Sequence, residues 1–186
     1  MREIVKFPSK VLRMKTNKIK KVDDKLLEEI NELREILEAS ENGAGLAAPQ
    51  IGISKAFLGI KGQDGVKILI NPKLVRVFGG KVYPKMVENE IESDFLEGCL
   101  SFPDLYGTVK RFLKIEVLWE ELVGGKLKKK KVILEGFEAI VWQHEVDHLN
   151  GVLFVDHVDE EGGKFFLWEG KDKIKMDIRM ILDKEK

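Results

Sequence analysis

The sequence predicts an α+β fold: antiparallel strands packed around a central helix that carries two histidines, with an N-terminal helix before the strands and a tail after the central helix. Three observations lead there. Apolar residues fall at helical spacing in DDKLLEEINELREILEAS, and GFEAIVWQHEVDHLN has helical length. Between these segments, short β-branched runs alternate with glycine and asparagine turns. The 186 residues contain no internal repeat and no linker, so a single domain over 1–186 is expected.

Residues 1–22 are basic and irregular, broken by Pro8. Asp23 or Asp24 is placed to cap a helix whose inward stripe is Leu26, Ile30, Leu33 and Leu37, and Asn42-Gly43 is expected to end it. GAGLAAPQIG at 43–52 reads as a loop, because Pro49 forbids a long helix there. From about 56 to 135, AFLGIK, VKILI, KLVRVF, KIEVLW and KKVIL read as strands. Gly62, Asp64-Gly65, Asn71-Pro72, Gly79-Gly80 and Gly124-Gly125 part them. The second helix stops at Asn150-Gly151. In the tail after residue 160, KFFLWEGKDK reads as a hairpin and KMDIRMILDKE as a helix.

The apolar fraction of 44% is enough for a folded core. Lys+Arg and Asp+Glu both number 32, so the net charge is zero and nothing pulls the chain toward DNA or a membrane. The run Lys128–Lys131 is expected to be a solvated hairpin face rather than an RNA contact. The single cysteine, Cys99, excludes an internal disulfide. No run reaches the length of a signal peptide or a membrane span, so the chain reads as soluble and cytoplasmic.

His144-Glu145-Val146-Asp147-His148 is an H-E-x-x-H motif on the second helix. Residues four apart stand one above the other on a helix face, so both imidazoles can reach one cation. Glu145 is then placed to reach a water on that cation and take its proton, the arrangement for metal-assisted hydrolysis. Two of the chain's three histidines sit in this motif, which makes a chance pattern on a helix surface a poor explanation.

A catalytic site needs a third ligand and an open fourth position. The metzincin pattern would put a third histidine at 154, which is Phe154, and His157 falls three residues too late. Asp147 points to another face of the helix. Glu169 stands at the sequence distance used by thermolysin-like enzymes, though Gly170 beside it reads poorly as helix. Cys99, in EGCLS, offers a thiolate that a strand can bring to the helix.

Gly43-Ala44-Gly45-Leu46-Ala47-Ala48 fits a G-x-G-x-x-A fingerprint, but a dinucleotide site needs a strand before it and a helix after it. Here a helix precedes and Pro49 follows. Such a loop instead lets a peptide backbone lie close against the protein. Gln50 at its end offers a side-chain amide to an oxyanion.

GAGLAAPQIG, EGCLSFP and QHEVDHLNG, in this order, resemble the peptide deformylase motifs G-x-G-x-A-A-x-Q, E-G-C-x-S and H-E-x-D-H. VLR near the N-terminus, INP at 70–72 and GVLFVDHV at 151–158 extend the resemblance over roughly residues 1–160. It implies removal of the N-formyl group from the N-terminal methionine of new proteins, with release of formate. It implies Cys99, His144 and His148 as ligands and Glu145 as general base. It places the Gln50 amide and the Leu100 N–H at the oxyanion. By matching position, Gly43, Ala44, Gly45, Gly98, Phe137, Ile140 and Val141 bind substrate. It implies Fe²⁺ in many members, with Zn²⁺, Ni²⁺ or Co²⁺ able to replace it; the donor set alone favours zinc.

Ala44 departs from the larger aliphatic residue common at this position. The arginine that many members carry after E-G-C-x-S is absent from Asp104-Leu105-Tyr106-Gly107, and Arg111 is the nearest; a Glu97–Arg111 ion pair is expected. Partners are then N-formylmethionyl nascent peptides, and the basic-leaning tail after Gly170 makes ribosome docking a hypothesis. Two other readings remain: a thermolysin-like peptidase using Glu169, and a non-catalytic binder of formylated N-termini, which would have no need of Glu145.

Overall fold

The computed structural model describes residues 2–88, 91–170 and 172–177. The first helix, α1, spans Asp24–Ala39 and is capped by Asp23, whose carboxylate accepts the Leu26 N–H at 2.9 Å. Leu26, Ile30, Leu33 and Leu37 form its buried stripe, as their spacing predicts. It ends earlier than Asn42-Gly43, at the Ser40 C-cap.

Among the described residues, eleven strands and two more α-helices follow. They are β1 (Gly45–Ala47), β2 (Phe57–Gly62), β3 (Gly65–Phe78), β4 (Lys85–Glu88), β5 (Ile91–Asp94), β6 (Glu97–Cys99), β7 (Phe102–Gly107), β8 (Lys114–Val123), β9 (Lys126–Glu135), α2 (Gly136–Leu149), α3 (Phe154–Glu160), β10 (Phe165–Glu169) and β11 (Asp172–Met176). One antiparallel sheet runs β1-β2-β3-β8-β9, a second runs β11-β10-β7-β6, and β4 pairs with β5 alone.

Further details differ from the sequence reading. The segment expected as a loop at 43–52 contains β1 and a short 3₁₀ turn over Ala48–Ile51; Leu46 and Ala47 are buried on the sheet, and that burial outweighs the loop-forming glycines. The two strands expected on either side of Asn71-Pro72 are one strand, β3, with a register shift between Ile70 and Lys73. Asn71 takes a positive φ of 51° and its side chain is held by both backbone groups of Ile19 (2.9 and 2.8 Å), so the strand bulges instead of stopping. The tail hairpin is present as β10–β11 and includes Lys175 and Met176. The rest of the expected helix KMDIRMILDKE, beyond Asp177, lies outside the described residues.

α1 packs tightly on the first sheet. A Cβ at Gly59 would lie only 2.8 Å from Leu33 Cδ2, so the glycine admits the helix. α2 lies deeper. Ala139 and Trp142 pack with Leu58, Val117 and Trp119, and burial extends to Ile140, Val141, His144 and Glu145. Such all-round burial marks a central helix rather than a surface one. At its end Gly151 has φ 73°, and a Cβ there would meet the Arg13 carbonyl oxygen at 2.3 Å. The lysine run lies on the β8–β9 hairpin, where Lys131 pairs with Glu116 (2.8 Å) and Lys130 approaches Glu121 (3.9 Å). Among the described residues, no helix is long and apolar enough to cross a membrane.

Candidate metal centre

Two elements from different parts of the chain meet at the centre. β6 ends at Cys99, and the register shifts between Gly98 and Cys99, which turns the thiol out of the regular ladder. α2 presents His144 and His148 one turn apart, with ring centroids 4.9 Å apart. Cys99 Sγ lies 3.2 Å from His148 Nε2, which lies 3.2 Å from His144 Nε2. Together they are the one group of three or more His, Cys, Asp or Glu among the described residues that could hold a metal ion. One sulfur and two imidazole nitrogens suit a four-coordinate divalent cation with one position open.

The surroundings fit that use. His144 Nδ1 donates to Glu97 Oε1 at 2.6 Å, which fixes the ring and leaves Nε2 facing Cys99 and His148. Glu97 also accepts from Arg111 Nε (3.0 Å) and Nη2 (2.6 Å), so the expected ion pair is present. Arg111 Nη1 donates to Asp147 Oδ2 (2.5 Å), whose other partner is His157 Nε2 (2.9 Å). Asp147, set aside as a ligand for its helix face, and His157, set aside for its spacing, thus sit in the layer behind the centre. No spacing rule could have paired Asp147 with Arg111.

These contacts set the charges. Burial opposes ionisation of Glu97, but the Arg111 guanidinium and His144 hold its carboxyl far below the usual range. Burial also opposes a charged His144, yet Glu97 and Cys99 raise its pKa well above the ordinary value. Burial pushes the Cys99 thiol up, and His148 and His144 outweigh it and bring it to about 5. Burial dominates at Glu145 and, against the pull of both imidazoles, pushes it up to about 7.

Glu145 lines the same cleft and its Oε2 is buried with no protein hydrogen-bond partner. Gln50 is 1% exposed, so its amide lies inside the protein and not on the surface. Its Oε1 accepts the Ala47 N–H (2.8 Å), and its Nε2 is thereby aimed at Cys99 Sγ and Ser101 Oγ, both at 3.4 Å. Glu169 stands at the exposed end of β10, in a strand and not in the helix a thermolysin-like ligand needs. Phe154 is core, packed on Phe102.

A sequence model of the family described as polypeptide deformylase matches residues 1–164. The chain belongs to that family. It is 38% identical to peptide deformylase 2 of Clostridium acetobutylicum over 161 residues, covering 86% of this chain and 97% of that one. It is also 38% identical to the Helicobacter pylori (strain Shi470) peptide deformylase over 164 residues, with 83% of each covered. The crystal structure of the Thermotoga maritima peptide deformylase superposes with a TM-score of 0.70 at 34% identity, covering 84% of this chain and 97% of that one. Members of the family are enzymes that remove the N-formyl group from new proteins.

A cavity of about 430 Å³ opens beside the three donors. Gly43, Ala44 and Gly45 form one edge and Gly98 with Leu100 another, while Phe137, Ile140 and Val141 close the end contributed by α2. A Cβ at Gly45 would lie 2.6 Å from Glu145 Oε1, so that glycine keeps room for the carboxylate. Phe137 is 57% exposed and forms the rim rather than helix core. Lys6, which the sequence did not single out, lines the cleft and donates to the Leu100 carbonyl at 2.7 Å.

Arg111 is 2% exposed between two carboxylates. Arg111→Met is expected to destabilise the chelated protein by about 3–5 kcal/mol, because buried Glu97 loses its counter-charge and half-buried Asp147 loses one of its two partners. It is also expected to weaken cation binding by about 10- to 100-fold through the loosened His144. Urea unfolding and a competition titration with a chelating dye would measure both.

Proposed function

We propose that this chain hydrolyses the N-formyl group of the N-terminal methionine of newly made proteins, releasing formate and a free amine. The observation that carries the reading is the convergence of Cys99, His144 and His148 with a buried, unpartnered Glu145 in one cleft. A divalent cation on these three side chains would supply Lewis acidity, polarising the formyl carbonyl and lowering the pKa of water.

Glu145 accepts the proton of the attacking water and returns it to the leaving nitrogen. Its burial-raised pKa suits a group that both takes and gives a proton near neutrality. The Gln50 amide and the Leu100 N–H stabilise the charge that develops on the formyl oxygen. The Gln50 amide is already held by Ala47, so little reorganisation is needed. Gly43, Ala44, Gly45 and Gly98 border the path of the peptide backbone, and Phe137, Ile140 and Val141 receive the methionine side chain. Fe²⁺ is the proposed metal in the cell, with Zn²⁺, Ni²⁺ or Co²⁺ as substitutes. The proposed setting is the cytoplasm, where formylated chains leave the ribosome, and the tail after Gly170 is the proposed docking segment.

The test is formate release from formyl-Met-Ala-Ser by protein purified without oxygen and loaded with Fe²⁺. Turnover is the expected result. A folded, metal-loaded protein that releases no formate would falsify the proposal.

A further inference from the structure

The family match ends at residue 164, yet the chain beyond it is built onto the sheet that carries Cys99. β10 pairs with β7 in the register Phe165↔Gly107, Phe166↔Tyr106 and Leu167↔Leu105, and β11 closes a hairpin against β10. Side chains two apart share a face of a strand, so Phe166 and Trp168 stand on the face of Tyr106. Phe165 stands on the other face and anchors the hairpin in the core. The hairpin's buried anchor is thus on that other face, and Trp168 on the first face stays partly in water.

That face is continuous with the cleft. Tyr106 lines it, and its ring covers Gly98: a Cβ there would lie 2.6 Å from Tyr106 Cε1. Trp168 meets Tyr106 edge to face, with centroids 6.4 Å apart, and remains 38% exposed. Asp104, on the far side of Tyr106 along β7, lines the cleft too. The cleft wall thus continues outward from Gly98 through Tyr106 to an indole with one side in water.

We propose that Tyr106 and Trp168 form a specificity subsite for an aromatic side chain at the third residue of the formylated peptide. This rests on the deformylase reading, which fixes the formyl group beside Cys99. An extended peptide advances about 3.3 Å per residue, and β10 lies two strand spacings, roughly 10 Å, from β6, so the third residue reaches the indole. The Tyr106 ring supplies an apolar contact that continues the surface of the indole. Trp168 is the specificity residue, and Tyr106 both positions it and continues its surface.

The experiment compares kcat/KM for formyl-Met-Ala-Phe-Ala and formyl-Met-Ala-Ser-Ala. The Fe²⁺-loaded full chain is tested as parent, Trp168→Ala and Trp168→Phe. The parent is expected to favour the phenylalanine peptide by about three- to tenfold, the size of one aromatic pair. The ratio is expected to fall toward one in Trp168→Ala and to be largely kept in Trp168→Phe. A ratio cancels any uniform loss of activity from a disturbed hairpin. Equal rates on both peptides in the parent, or one unchanged ratio in all three proteins, overturns the subsite and leaves the deformylase reading standing. Formate release from neither peptide overturns both.

Discussion

Glu145→Gln is expected to lower formate release by about 10²- to 10⁴-fold while leaving cation binding in place. The substitution keeps the shape of the side chain and removes its basicity. Glu145 sits between the two histidines in sequence but bonds to neither, so losing its charge leaves the donors where they are. The same variant separates this function from that of a passive binder: a module that only held formylated N-termini would be indifferent to the change. A second readout follows from burial. The folded pKa of about 7 lies above the ordinary 4.5, so the folded chain binds this proton more tightly than the unfolded one. The ionised carboxylate therefore opposes folding above about pH 7, and the opposition fades as the pH falls toward 4.5. In chelated protein at pH 8, Glu145→Gln should raise stability by about 1–3 kcal/mol, and the gain should vanish by pH 4.5. Thermal melts at both pH values, run beside the formate assay, would read a residue that lowers stability in return for chemistry. A melting temperature that falls at pH 8 would contradict the account of the buried carboxylate.

The site was more legible in the sequence than the fold around it. Spacing of four along a helix determines how two histidines face each other, whatever surrounds them, so His144 and His148 could be paired from sequence alone. Cys99 could only be offered as one of several third ligands, because its approach depends on a register shift between β6 and β7 that no local pattern encodes. Asp147 shows the complementary failure. Its helix face ruled it out as a ligand, but its bond to Arg111 joins residues 36 apart in sequence through the packing of β7's trailing loop on α2. In the fold, periodic segments and most glycine turns, such as Gly124-Gly125, were readable, but two irregular stretches were not. Asn71-Pro72 looks like a strand break, yet the Asn71 side chain pairs with Ile19 and carries β3 through it. Gly45–Ala47 looks like a loop, yet Ala47 and Leu46 are fully buried and pair with Leu58 and Gly59. In both cases a tertiary partner distant in sequence decided the outcome.

Cys99→Ala tests the remaining choice of ligand with an equally large effect. Cys99 Sγ is one of three donors, and at a pKa of about 5 it is a thiolate at neutral pH, ready to bind without first losing a proton. Its removal leaves two imidazoles 3.2 Å apart and no anionic donor. Cation binding is expected to collapse, and formate release to fall at least about a thousandfold, since the Lewis acid supplies several kcal/mol of barrier lowering. Glu169→Ala, changed on the exposed end of β10, is expected to alter neither metal content nor turnover of formyl-Met-Ala-Ser. The opposite pattern, with metal and activity retained in Cys99→Ala and lost in Glu169→Ala, would require β10 to refold and swing onto α2. Its pairing with both β7 and β11 opposes that movement. Metal content by atomic absorption, measured on the same samples as formate, keeps the two steps apart: a variant that binds the cation but does not turn over has lost chemistry, and one that does neither has lost the site.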